Sequence, residues 1–153
     1  MLSCEKAAGM LADRLGSKVP APDGQGRYVF DLAGDMRLGV EDSPAGGLLA
    51  WSEAAPAPAG DEAEDRMRLF LRLHLARLRH DARIMIAGGG NGELLLHMRL
   101  NPDAEREWLD AASALLNETE ALRKALGYTA AASGAGGGMG LFAGMSDLFK
   151  NRP

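Results

Sequence analysis

The stretch from Met67 to Arg79 is the strongest constraint on how this chain can fold. On a helical wheel of about 100° per residue, Arg68, Arg72 and Arg79 fall within roughly 40° of one another and form a basic stripe. Met67, Leu69, Phe70, Leu71, Leu73, Leu75 and Leu78 sweep about 240° of the remainder, interrupted only by His74 and Arg77. A helix lying on one sheet hides a stripe of little more than about 100°. This helix therefore has a second apolar surface to cover, either with other helices of the same chain or with a second copy of the chain.

The strands are marked by alternation and by the turns between them. Met36, Leu38 and Val40 alternate with Arg37, Gly39 and Glu41, a period of two that places the first set on one face of a sheet. Tyr28 to Leu32 and Leu48 to Glu53 read as strands on either side, joined through Ala33-Gly34-Asp35 and Ser43-Pro44-Ala45-Gly46-Gly47. Residues 54–61, with Pro56 and Pro58, read as a linker that neither helix nor strand can occupy. Two further strands, Arg83 to Ala87 and Glu93 to Leu100, flank Gly88-Gly89-Gly90-Asn91-Gly92, where Asn-Gly is a hairpin signal.

Helices open and close the pattern. Ser3 is positioned to cap a helix over 3–16 with Ala7, Met10, Leu11 and Leu15 at helical spacing, and Pro20 to Gly26 is a loop. Asp61 can cap the middle helix, which runs to about His80. Asn101 and Pro102 suit the start of the last helix, Asp103 and Glu105 its positive end, Arg123 and Lys124 its negative end, and Gly127 its stop. Its apolar stripe is Trp108, Ala112, Leu115, Thr119, Leu122 and Leu126. The order α-β-β-β-α-β-β-α predicts an α+β fold, a five-stranded antiparallel sheet with three helices, over residues 1–128. Residues 129–140 form a Gly-rich linker and 141–153 a short apolar tail, in which Leu141, Met145, Leu148 and Phe149 share one helical face beside Phe142. Those five side chains are the expected tail contacts. Short helices around such a sheet seldom enclose a third helix, which favours a homodimer through Leu69, Phe70, Leu73 and Arg77; burial by the first and last helices is the alternative.

Chemical motifs are weak. His74 and His80 are six apart and point to different sides, and His97 sits in a strand opposite Leu96 and Met98, so a shared metal or a base role is not expected. Cys4, the single cysteine, has no neighbouring His in sequence and reads as part of a fraying terminus. The glycines at 88–92 lead into Leu94-Leu95-Leu96, a strand, where a phosphate loop would require a helix. Asp61, Glu62, Glu64 and Asp65 fit the first turn of a helix better than a calcium loop. No catalytic set and no cofactor is expected. A net charge of -4 with a pI near 5.4 disfavours nucleic acid and anionic membranes. The start lacks the apolar run of a signal peptide and no window is long enough to span a bilayer, so a cytoplasmic protein is expected.

The element order, the acidic pI, Phe30-Asp31-Leu32 followed by Met36-Arg37-Leu38-Gly39-Val40, the Leu-rich middle helix, Glu93-Leu94-Leu95-Leu96 and the Trp108 to Leu126 helix together resemble class I chaperones of type III secretion systems, the Tir chaperone (CesT-like) family. The resemblance implies a homodimer that binds the N-terminal segment of a secreted effector in extended form, without nucleotide, through apolar patches on the first helix and the sheet. On this sequence those patches are Leu11 and Leu15 on the helix and Val29, Leu49 and Trp51 on the sheet. Trp51 can instead serve a dimer contact or simple edge packing. Two other classes remain open: an adaptor of a secretion apparatus that docks through its tail, and a small α+β ligand-binding protein.

Overall fold

The computed structural model describes residues 1–55, 62–77, 83–88 and 93–126. Helix α1 (Cys4–Leu15) leads into β1 (Tyr28–Leu32), β2 (Met36–Asp42) and β3 (Leu48–Ala55). Helix α2 (Glu62–Arg77) is followed by β4 (Ile84–Gly88), β5 (Leu94–Leu100) and helix α3 (Trp108–Ala125). The five strands form one sheet in the order β1-β2-β3-β5-β4, with every neighbouring pair antiparallel. The α+β architecture read from the sequence is the one observed.

Period-two alternation decides which side of the sheet is the core. Leu38, Val40, Leu48, Ala50, Leu96 and Met98 point inward and are buried beneath α1 and α3. Trp108 is fully buried, and its indole Nε1 donates a 2.9 Å hydrogen bond to the Ala7 carbonyl, tying α3 to α1. At the other end of α3, Arg123 Nη1 donates to the Asp35 carbonyl at 3.1 Å, so the helix is held to the β1–β2 turn.

Helix α1 starts where expected. Ser3 Oγ accepts from the Lys6 amide at 3.2 Å, and Gly16, at φ 63°, closes the helix in the left-handed conformation that a side chain would disfavour. Cys4 is not in a fraying terminus. It is buried, its thiol donates to the Val40 carbonyl at 3.1 Å, and the preceding Leu2 amide bonds to the Pro102 carbonyl at 2.7 Å. Burial and the nearby Asp42 push the thiol pKa up to about 11, which leaves it protonated and unreactive.

The structure differs from the sequence reading at the end of β3, at the start of α3 and in the width of the buried face of α3. Ala54 and Ala55, expected in a linker, continue β3 and are buried, with a register irregularity between Glu53 and Ala55. Strand pairing with Leu94 supplies what two alanines lack in intrinsic strand preference. The segment after Asn101 does not enter an α-helix directly: the Ala104 amide bonds back to the Asn101 carbonyl at 3.0 Å, a 3-10 turn covers Ala104–Glu107, and α3 begins at Trp108. Docking the indole on α1 and pairing Lys6 Nζ with Glu105 Oε2 at 2.7 Å fix the approach, and the tighter turn adapts to it. The buried face of α3 is also wider than a single stripe, because Ala111 and Leu116 join it.

Helix α2 keeps its unusual character. Met67, Leu71 and Leu75 lie at a spacing of four and are exposed, Leu75 by 66%, and Leu69 is exposed on a different side. Among the described residues no α2 side chain belongs to the core. The side chains of Phe70, Leu73, His74 and Arg77 lie outside the described residues, as do Pro56, His80, the Asn91-Gly92 turn, Gly127, the linker and the tail contacts Leu141, Phe142, Met145, Leu148 and Phe149.

Candidate functional site

The outward face of the sheet is organised in rows that run across the strands. Val29 pairs with Gly39, Gly39 with Trp51, Trp51 with His97 and His97 with Met85, so one row crosses all five strands. At about 4.8 Å between neighbouring strands the row spans roughly 19 Å. Trp51 is half-buried at its centre because the indole leans over Gly39. A β-carbon at position 39 would come closer than 3.0 Å to the ring atoms Cε2, Cζ2 and Nε1 of Trp51. Val29, Leu49 and Leu95 are half-buried around it, and Met85 stands 57% exposed on the edge strand.

Charged rows run on either side. On one flank Asp31 pairs with Arg37, whose guanidinium lies 3.5 Å from Asp31 and 4.0 Å from Glu53. On the other, Arg27 Nε lies 2.7 Å from Asp23 Oδ2 and 3.9 Å from Glu41 Oε2. The Arg27 loop is itself fixed by Asp23, which accepts from the Gln25 and Arg27 amides at 2.8 and 3.0 Å. Those bonds, led by the Arg27 amide, hold the Asp23 carboxyl below its ordinary range. Arg99 turns away from the row and donates to the carbonyls of Ala45 and Gly46. The result is an open depression of about 510 Å³ with an apolar floor and charged walls.

His97 is the titratable member of that floor and is half-buried like its neighbours. Desolvation beside Trp51 lowers its pKa, so the neutral imidazole is the favoured form. Among the described residues no cluster of three or more His, Cys, Asp or Glu side chains is placed to hold a metal ion. No described helix is long and apolar enough to cross a membrane.

The structure brings Val29, Leu49 and Trp51 together on one surface, and it separates the two α1 residues from them. Leu11 is only 2% exposed and packs in the core, so it is not available to a partner, and Leu15 is half-buried against the same core. The outer side of α1 carries Glu5, Lys6, Asp13 and Arg14 instead of an apolar patch. His97, which alternation put opposite Leu96 and Met98, lies on this surface together with Gly39 and Leu95, and none of the three was expected as a partner contact.

No protein-family model and no curated protein matches the sequence. Solved structures match the fold. The crystal structure of the ExsC–ExsE complex superposes with a TM-score of 0.59 at 15% identity, covering 82% of this chain and 97% of that one. The Yersinia pestis type III secretion chaperone SycH, in complex with a stable fragment of YscM2, superposes with a TM-score of 0.52 at 16% identity, covering 78% of this chain and 99% of that one. This chain shares the fold of these two structures. Both similarities span nearly the whole of the matched chains and about four fifths of this one.

Proposed function

We propose that this protein is a type III secretion chaperone of the class I, Tir chaperone (CesT-like) kind, which holds an N-terminal segment of a secreted effector in extended form. It acts in the cytoplasm by stoichiometric binding, without nucleotide or cofactor. The observation that carries the reading is the outward sheet face, where Val29, Leu49 and Trp51 cluster and α1 and α3 pack on the opposite side. A half-buried aromatic at the centre of an open depression is the kind of anchor that dominates protein–protein binding. Superposition on SycH, whose partner in that structure is a fragment of YscM2, supports a polypeptide ligand.

The same reading makes the protein a homodimer through α2. Exposed Met67, Leu71 and Leu75 form an apolar stripe with no cover among the described residues, and such stripes mark interfaces in monomeric folds of this size. The test of function is co-purification from the native cell followed by mass spectrometry, with Trp51→Ala as the control. A single secreted polypeptide recovered with the parent and depleted with the variant is the expected result. Recovery unaffected by the substitution would reject the sheet face as the binding surface.

A further inference from the structure

Resting on the reading of the outward sheet face as a docking surface, we propose that the segment it takes is cationic as well as apolar, with Lys or Arg bordering the residues that cover Trp51. Each arginine beside the central row is shared between two carboxylates. Arg37 lies between Asp31 and Glu53, and Arg27 between Asp23 and Glu41. Each flank therefore keeps one negative charge that its own guanidinium does not neutralise. Glu93 also lines the wall but is engaged in an interaction of its own and is not counted with them. The Arg99 guanidinium keeps its charge but points away from the row, onto the Ala45 and Gly46 carbonyls. His97, the remaining titratable group facing the floor, is held toward its neutral form and adds no compensating charge.

An apolar segment with acidic neighbours would place like charges against both walls, whereas lysines or arginines would meet a carboxylate on either side. These groups are solvated, so they act on choice of partner and on salt dependence more than on raw affinity. The apolar floor retains the contact with Trp51.

The test uses two synthetic peptides of about ten residues, long enough to cross the roughly 19 Å row. Both carry the same leucines and valines, with lysine at the intervening positions in one and glutamate in the other. Fluorescence anisotropy against the full chain should show the lysine peptide binding roughly five- to tenfold tighter at about 0.05 M salt, with the preference shrinking at about 0.5 M. Glu41→Gln with Glu53→Gln should erase most of that preference while the folding transition is kept. Equal binding of the two peptides, or tighter binding of the glutamate peptide, overturns the proposal, and if Trp51→Ala still weakens both peptides the docking face survives. Should Trp51→Ala change neither, or should nothing bind, the docking face falls as well. Binding that appears only after Leu148→Asp with Phe149→Asp would make the chain's own tail the occupant, which also overturns the proposal.

Discussion

Trp51 and Gly39 face each other across the β2–β3 pair, and the indole occupies the space that any side chain at position 39 would need. The aromatic ring lies low over the strand because the residue beneath it has no β-carbon. That relationship sets the depth of the depression and the half-buried state of Trp51 on the outward face.

Replacing Gly39 with Ala should therefore displace the ring. Overpacking of this kind costs about 1–3 kcal/mol, a fall of several degrees in melting temperature for a chain of this length. Trp108 is fully buried and supplies a constant blue component, so a red shift of total tryptophan emission reports Trp51 moving toward water. A melting curve and spectrum identical to those of the parent protein would contradict the close seating of the indole.

Helix α2 gives the clearest test of assembly. Light scattering on the purified protein should return about twice the 16.2 kDa chain mass. Leu75→Arg, placed where the side chain is 66% exposed, should return the single-chain mass with the circular dichroism of a folded protein. A parent protein that is monomeric at micromolar concentration would remove α2 as an interface.

The half-buried imidazole of His97 predicts a pH dependence with a definite direction. Desolvation lowers the pKa of His97 below the ordinary 6.5. Between those two values the unfolded chain binds the proton and the folded one resists it, so stability is lost as pH falls below about 6.5. The melting temperature should drop over that interval, and His97→Gln should flatten the drop relative to the parent. An identical pH profile for the two proteins would show that His97 is not desolvated by the Trp51 row.

Cys4 predicts the opposite behaviour at high pH. Its thiol ionises near pH 9.0 when unfolded and near 11 when folded, so the unfolded chain releases its proton first and stability declines as pH rises through that range. At pH near 8 a thiol reagent should leave native Cys4 unlabelled for hours and label it at once in denaturant. Rapid labelling of the native protein would contradict the hydrogen bond to Val40 and the burial around it.

Much of the fold was legible because its signals are local. The alternation of Met36, Leu38 and Val40, the cap at Ser3 and the charges at Arg123 and Lys124 act within a few residues of themselves, and the structure places each where its spacing implies. The extension of β3 through Ala55 and the 3-10 turn before Trp108 were not legible, since a strand partner and an indole contact with α1 decide them. Leu11 shows the same limit from the other direction. Helical spacing put it on an apolar face, and only the position of α1 over β1 and β2 decided that this face is core.

The candidate surface divides in the same way. Sequence alone determined that Leu49 and Trp51 lie on the face opposite Leu48 and Ala50, because side chains along a strand alternate between its faces. Burial of Leu48 and Ala50 under the helices decided that this face is the outward one. Tertiary structure alone decided that Val29, Gly39, Trp51, His97 and Met85 stand in one row, and that Arg27 and Arg37 each sit between two carboxylates. A row across a sheet depends on strand order and register, and here β5 enters between β3 and β4. Those quantities are fixed by contacts between residues tens of positions apart, where the pattern of any single segment carries no information.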